Sequence, residues 1–263
     1  MNPLTGPIDN LTRWTGSVMD FFYPPVCLTC RRSLITEEKY ICQVCLAEII
    51  TRWEWQCDKC GAVGVGREPE PGHRCRLCPS IGNDYEGVLS AVDYHGAAAR
   101  CVHQFKYIHR AQTGDLMSRV MSEHLSPLIR PIVPRLDLVT PVPLHWIRRI
   151  QRGFNQSVRL ARELSDSLEL RYEGNLLRRV RNTRRQATIP QQQRAGNVAG
   201  AFKVRRVRDL SESGILLVDD VLTSGSTAQE CAAALKRAGT REVWIATFAR
   251  IGLTHGSMKN TSK

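Results

Sequence analysis

The second half of the chain alternates between short apolar runs and longer amphipathic stretches. Runs typical of buried strands occupy residues 86–96, 136–144, 214–220 and 241–250. Apolar residues recur at helical spacing in 97–129, 155–168 and 226–239. We expect the first of these stretches to form two helices, broken near Thr113 and Gly114. Strands that alternate with helices predict an α/β domain with a parallel sheet, which we place at residues 85–252.

The first 80 residues follow a different pattern. Residues 1–26 contain one candidate amphipathic helix, which Pro24 and Pro25 end. The next segment, 27–80, is rich in cysteine and short of apolar residues, so that bound metal must supply the stability that a small core cannot. At the other end of the chain, we expect residues 253–263 to be a disordered tail.

Eight of the ten cysteines form four CxxC pairs: Cys27/Cys30, Cys42/Cys45, Cys57/Cys60 and Cys75/Cys78. Two thiolates on one tight turn occupy one edge of a tetrahedron, and a second pair supplies the opposite edge. Sequential pairing predicts a double zinc ribbon with two structural Zn²⁺ sites. Pairing of the first with the third and the second with the fourth is an alternative, whereas a reducing compartment disfavours disulfides. We interpret Cys101 and Cys231 as small core residues.

The charge balance is basic, with 37 Lys and Arg against 25 Asp and Glu and a net charge of +12. Such a balance indicates an anionic partner, either a phosphate ester or a nucleic acid. No apolar run is long enough for a membrane helix, and polar residues interrupt the apolar ones near the amino terminus. We therefore expect no membrane span, no signal peptide and a cytoplasmic location.

Two adjacent acids and a loop of small residues follow the apolar run at residues 215–218. Asp219 and Asp220 would lie at the carboxyl end of a strand, where open α/β sheets bind ligands. The loop then enters a helix through Thr223, Ser224, Gly225, Ser226 and Thr227. Its backbone N–H groups and hydroxyls suit a phosphate, while the carboxylates suit hydroxyls or a cation. A ribose 5-phosphate would satisfy both ends, whereas a simple helix cap needs only one such residue.

The stretch "LLVDDVLTSGST" resembles the phosphoribosyl pyrophosphate (PRPP) loop of type I phosphoribosyltransferases. Together with the four CxxC pairs, "TPVPLHWIRRIQRGFNQSVRLA" and "RRQATIPQQQRAGNVAGAF", it resembles the ComF (competence protein F, GntX-like) family over residues 20–251. The resemblance implies a type I phosphoribosyltransferase-like parallel sheet with an N-terminal double zinc ribbon. It also implies that PRPP binds with Mg²⁺, its ribose hydroxyls on Asp219 and Asp220 and its 5-phosphate on residues 223–227.

The resemblance adds candidate pyrophosphate contacts in two segments. One is the turn that ends a strand at residues 140–143, and the other is an arginine-rich stretch in the place of a flexible loop. The candidates are Thr140, Pro141, Arg148, Arg149 and Arg152. One departure from the enzymes of purine salvage argues against purine transfer. Those enzymes carry a further acid in the loop, where this chain has Val221, Leu222 and Thr223, which also argues against catalysis that needs a general base in this loop.

Sixteen Lys and Arg but only four acids lie between residues 145 and 208. PRPP needs two or three of these cations, and the surplus fits a longer polyanion, although an arginine-rich composition is the competing explanation. The resemblance favours a role in DNA uptake, with single-stranded DNA and DNA-uptake proteins as partners. Three functions remain open: this DNA-handling role, an active phosphoribosyltransferase whose acceptor the sequence leaves open, and a non-catalytic PRPP sensor.

Overall fold

The computed structural model of the 263-residue chain describes residues 25–34, 40–50, 53–64, 75, 78, 84–107, 111–144, 155–183, 190, 193–205 and 209–251. The helices are α1 (Gln43–Ile49), α2 (Gly96–Tyr107), α3 (Ala111–Ile129), α4 (Gln156–Leu168), α5 (Arg194–Val198) and α6 (Ser226–Arg237), with a 3-10 helix at Arg130–Arg135. The strands are β1 (Trp55–Gln56), β2 (Val63–Gly64), β3 (Gly87–Asp93), β4 (Leu138–Pro141), β5 (Arg171–Tyr172), β6 (Leu177–Arg179), β7 (Phe202–Val204), β8 (Gly214–Leu222) and β9 (Glu242–Arg250).

Five parallel strands form the central sheet in the order β3-β9-β8-β4-β5. Two short antiparallel pairs, β1 with β2 and β6 with β7, lie outside this sheet. Parallel neighbours need crossover connections, and helices provide them here. The predicted α/β fold with a parallel sheet is therefore confirmed.

The sheet separates two hydrophobic cores, because successive side chains of each strand face opposite ways. On β8, Leu216 and Val218 pack in one core with buried residues of α2, α3 and α4. Ile215 and Leu217 pack in the other core with α6 and the β6–β7 pair. A strand buried on both faces reads as a continuous apolar run, which is how β8 was recognisable in the sequence.

The cysteine-rich segment packs against both cores at the β3 edge of the sheet. Cys27, Cys42 and Cys45 belong to the core of α2–α4, and the cysteines from 57 to 78 belong to the core of α6. On the side of the α6 core, the Val88 amide of β3 donates to the Asp58 carbonyl at 3.3 Å. The cysteine-rich segment thus covers an edge strand that would otherwise be open to pairing with other chains.

The break between α2 and α3 differs from the prediction. α2 ends at Tyr107 and α3 begins at Ala111, so that both residues of the predicted break lie in the first turn of α3. Gly114 has a packing role there, since a Cβ would lie 2.8 Å from atoms of Phe105 and Arg159. The close contact with neighbouring side chains, and not the end of a helix, explains this glycine.

Several predictions concern residues outside the described ranges. They include nearly all of the helix expected at 1–26 and the whole of the tail expected at 253–263. The boundaries of the two predicted domains also stay predictions. Among the residues that the structure does describe, no helix combines the length and the apolar character needed to cross a bilayer.

Candidate functional site

The structure brings the eight paired cysteines together in two groups of four, and the pairing is sequential. The first cysteine cluster is Cys27, Cys30, Cys42 and Cys45, and the second is Cys57, Cys60, Cys75 and Cys78. Within each cluster the sulfur atoms all lie within 4.8 Å of one another. The interleaved alternative is therefore wrong.

The sulfur geometry fits tetrahedral zinc. Thiolates at about 2.3 Å from one Zn²⁺ lie about 3.8 Å from each other. The separation between Cys30 Sγ and Cys42 Sγ is 3.7 Å, and that between Cys57 Sγ and Cys78 Sγ is 3.5 Å. With four sulfur ligands and no open position, each cluster suits a structural ion.

The two clusters share a local backbone device. The residue after the second cysteine of the first CxxC pair, Arg31, has φ 66° and donates its amide to the Cys27 carbonyl at 3.0 Å. Gly61 does the same in the second cluster, with φ 66° and a 2.8 Å bond to the Cys57 carbonyl. In the first cluster the Arg32 guanidinium donates to Cys42 Sγ at 3.4 Å and lowers the pKa of that thiol, which favours the thiolate that a metal needs.

Asp219 and Asp220 lie near the end of β8, and the structure gives them different partners. Asp219 Oδ1 accepts from the Ser157 hydroxyl of α4 at 3.1 Å and from the Asp220 amide at 2.9 Å. Burial and, to a smaller extent, the neighbouring Asp220 charge raise the pKa of Asp219 to about 7, although Lys106 opposes the shift. Near neutral pH the pair therefore carries less than two full negative charges.

Lys106, in the last turn of α2, is a site residue that the sequence analysis missed. Its Nζ lies 2.9 Å from Asp220 Oδ2, and both side chains are largely buried, with 23% and 11% of their surface exposed. This ion pair offsets part of the repulsion that two adjacent carboxylates would suffer. Neither Lys106 nor Ser157 carried a local signal, because each is far from the acids in the chain.

The loop of residues 223–227 enters α6 through a left-handed glycine. Gly225 has φ 75° at the N-cap of α6, a conformation that a residue with a Cβ rarely adopts. The hydroxyl oxygens of Ser224 and Ser226 lie 3.0 Å apart. The loop thus combines hydroxyls with the amino-terminal end of a 12-residue helix, whose free amides and dipole favour an anion. We refer to Thr223–Thr227 as the anion loop.

The turn at the end of β4 lies beside these acids, since Pro141 pairs with Val218 of β8. Thr140 is fully buried, and its hydroxyl donates to the Glu173 carbonyl at 2.8 Å. The Thr140 side chain therefore ties β4 to the segment after β5. The other pyrophosphate candidates, Arg148, Arg149 and Arg152, lie outside the described residues.

The β6–β7 pair carries an exposed basic face within the arginine-rich segment. Arg178 and Lys203 stand directly opposite each other and are both exposed, and Arg205 follows one residue beyond β7 and is also exposed. Like charges directly opposite on neighbouring strands destabilise a sheet unless an anion lies between them. Arg181 differs, because its guanidinium donates to the Asn197 and Ala199 carbonyls around the end of α5.

Two family models match the chain. Residues 155–258 match the phosphoribosyl transferase domain, and residues 18–81 match the double zinc ribbon domain. The fold and the cysteine clusters agree with both matches. This is thus a protein in which a double zinc ribbon precedes a phosphoribosyltransferase domain of the α/β class.

Relatives identify the family. The chain is 31% identical over 226 residues to the DNA utilization protein YhgH of Salmonella typhi, which covers 84% of this chain and 96% of that protein. It is 32% identical over 115 residues to competence protein F of Haemophilus influenzae, over 43% of this chain and 50% of that protein. The chain belongs to the ComF (competence protein F) family, which confirms the resemblance noted from the sequence.

Among solved structures, glutamine PRPP amidotransferase from B. subtilis aligns with 56% of this chain and 30% of its own length. The alignment has 19% sequence identity and a TM-score of 0.36. At this TM-score the likeness says nothing about the ligand of the present chain, which has to be inferred from the chain's own residues.

Proposed function

We propose that the chain binds PRPP at the carboxyl edge of its sheet, with the 5-phosphate on the anion loop and the ribose hydroxyls on Asp219 and Asp220. The observation that supports this best is the order of features along the chain: two acids near the end of β8, then a left-handed glycine, then the amino terminus of α6. One end of the site favours an anion and the other accepts hydrogen bonds, as a ribose phosphate requires.

The same arrangement suggests how Mg²⁺ would take part. Asp220 already forms an ion pair with Lys106, so its carboxylate is partly neutralised. Mg²⁺ prefers to keep several waters and to bind substrate phosphates. We therefore infer that the ion enters with the pyrophosphate group of PRPP, while the aspartates hold the sugar.

Calorimetric titration with PRPP and Mg²⁺ tests the proposal. The variant Asp219→Ala plus Asp220→Ala should bind more weakly by about 2–4 kcal/mol, because charge-assisted hydrogen bonds contribute about 1.5–3 kcal/mol each and are not fully additive. A control that also removes two acids, Asp166→Ala plus Asp209→Ala, changes exposed residues outside the site and should leave the affinity unchanged. Equal affinity of the wild type and the first variant would refute the assignment.

We further propose a role in DNA handling in a cytoplasmic setting, with single-stranded DNA held on the exposed face of Arg178, Lys203 and Arg205. The names of the relatives, DNA utilization protein and competence protein F, agree with such a role. Two cations held opposite each other on a ribbon are best explained by a polyanion that neutralises both.

The salt dependence of binding tests this second proposal. Affinity for single-stranded DNA should fall with salt at a slope of about −0.7 per phosphate contact, so Arg178→Ala plus Lys203→Ala should flatten the slope by up to about 1.4. Arg119→Ala plus Arg237→Ala removes the same charge at exposed sites elsewhere and should change it little. The slopes should be measured near physiological salt, where screening weakens the non-specific DNA binding that any basic protein shows at low salt. Identical slopes in the two double variants would argue against this face.

An active phosphoribosyltransferase is a third candidate. It is favoured by the pKa of Asp219, about 7, because such a carboxylate can accept a proton at neutral pH. Release of pyrophosphate from PRPP, measured with a panel of nucleobases and amines, tests it. PRPP binding without any release under these conditions would leave a PRPP-binding protein that does not catalyse transfer.

A further inference from the structure

Arg250, the last residue of β9, is the largest fully buried side chain among the described residues, with 1% of its surface exposed. Its Nε donates to the Cys60 carbonyl at 3.1 Å. Its Nη1 donates to the Leu222 carbonyl at 3.0 Å and to the Thr223 carbonyl. A buried guanidinium with these partners is fixed in place, because any movement would leave charged donors unsatisfied.

On one side, these bonds orient the anion loop. A trans peptide unit is planar, so its C=O and N–H groups point in opposite directions. Since Arg250 holds the carbonyls of Leu222 and Thr223, the amides of Thr223 and Ser224 must point away from Arg250. These are the first two amide donors of the anion loop, and their direction depends on the guanidinium.

On the other side, Arg250 holds the backbone of a metal ligand. The Cys60 carbonyl belongs to the peptide unit that joins Cys60 to Gly61, and the amide of Gly61 is bonded to the Cys57 carbonyl at 2.8 Å. A Cβ at Gly61 would lie 2.7 Å from side-chain atoms of Val88 and Ser90, so this turn sits tightly on β3. Metal on the Cys60 sulfur would fix the turn, and loss of the metal would release it.

We propose that Arg250 is a positioning residue that couples the second cysteine cluster to the anion loop. Zinc on the second cluster then strengthens binding of the phosphate ligand, and the bound ligand retains that zinc. Reciprocity is required, because a coupling free energy acts equally in both directions. This inference rests on the proposed function, since it takes PRPP as the ligand of the loop. Among the described residues, Arg250 makes no hydrogen bond to the first cysteine cluster, so the coupling that runs through Arg250 should act on the second cluster only.

The two clusters allow an internal control in the wild-type, zinc-loaded chain. Zinc is withdrawn by a zinc-selective chelator with and without PRPP and Mg²⁺, and hydrogen exchange is followed in peptides that contain Gly61 or Arg31. The amides of these two residues make equivalent bonds in the two clusters. PRPP should slow the chelator-induced rise in hydrogen exchange of the Gly61 peptide about fivefold or more, and the exchange rate of the Arg31 peptide should not change. Equal effects on both peptides, or none, would overturn the coupling, whereas absence of PRPP binding in calorimetry would overturn the proposed function.

The variant Arg250→Lys tests the residue itself. Lysine keeps the charge but cannot donate in a fixed fork to carbonyls on both sides. Affinity for PRPP should fall about tenfold and the ligand-dependent retention of zinc should disappear. Arg241→Lys, at the exposed residue just before the same strand, is the matched control and should change neither the PRPP affinity nor the retention of zinc. A folded Arg250→Lys protein that still retains its zinc in response to PRPP would show a structural role only. If Arg250→Lys does not fold, the wild-type experiment decides alone.

Discussion

Replacement of Asp219 by asparagine tests the electrostatics of the site. Burial raises the pKa of Asp219 from 3.8 to about 7 in the folded protein, and the unfolded chain keeps the ordinary value. The folded state therefore binds the proton more tightly than the unfolded state. As the pH rises from about 4 to about 7, the wild-type protein loses stability through this group, and above about 7 the loss is complete.

The magnitude follows from the size of the shift. One unit of pKa difference corresponds to about 1.4 kcal/mol, so a shift from 3.8 to about 7 sets an upper limit of about 4 kcal/mol. Asparagine removes the charge but keeps an oxygen that can accept from the Ser157 hydroxyl and the Asp220 amide. Allowing for relaxation around the charged group, we expect Asp219→Asn to be more stable than the wild type by about 1–3 kcal/mol at pH 8.

Urea unfolding followed by circular dichroism, from about pH 5.5 to about pH 8.5, measures the difference in free energy of unfolding. The difference between the variant and the wild type should grow with pH and level off above about pH 7. Zinc affinity also changes with pH, but it is common to both proteins and cancels. Asp209→Asn is the control, because hydrogen bonding to Ser211 lowers the pKa of Asp209 and its difference should stay flat in this range. A difference for Asp219→Asn that is independent of pH would refute the reasoning.

Three further predictions concern Lys106, the glycine of the anion loop and the cysteine clusters. Lys106→Met should raise the pKa of Asp219 further, because it removes the nearby positive charge. The pH at which the protein loses stability through Asp219 should then move upward, and a downward move would contradict the role of the ion pair. Gly225→Ala should lower the free energy of unfolding in urea by about 1–2 kcal/mol because alanine is strained at φ 75°. Gly196→Ala, inside α5 and with no atom within 4 Å of the added Cβ, should be neutral or slightly stabilising. Elemental analysis of the purified protein should find two Zn²⁺ per chain, and chelation should unfold the cysteine-rich segment; less than one Zn²⁺ would exclude the double site.

Four of the five strands of the central sheet were predictable because each is a continuous, largely apolar run, whereas the two-residue strand β5 was not. β4, β8 and β9 are apolar runs that need no distant partner to be recognised, and Asn155 marks the start of α4 by accepting from the Ser157 amide. The end of β8 was harder to place. The strand continues past the two acids, because Val221 and Leu222 still pair with β9. The shortest elements, such as β6 and β7, have too few residues to show a period.

The acids and the small-residue loop were also predictable, since they are adjacent in the sequence. Lys106 was not, because a lysine in the last turn of an amphipathic helix is explained by the helix dipole alone. Only the folded structure, which brings the last turn of α2 next to the acids of β8, gives Lys106 an acidic partner. Ser157 likewise looks like an ordinary residue of the first turn of α4, 62 positions before the carboxylate that it contacts.

Arg250 marks the limit of what the sequence can show. In the sequence it is a polar residue that ends a strand, and the expected place for such a residue is the solvent. In the fold, β9 lies between β3 and β8, and its register places Arg250 level with Asp93 on one side and Leu222 on the other. The cysteine-rich segment covers the β3 edge and closes over this position, which removes solvent from the guanidinium and supplies the Cys60 carbonyl. An arginine becomes buried here only because two separately recognisable parts of the sequence meet, and for that reason their junction is where metal and ligand can influence each other.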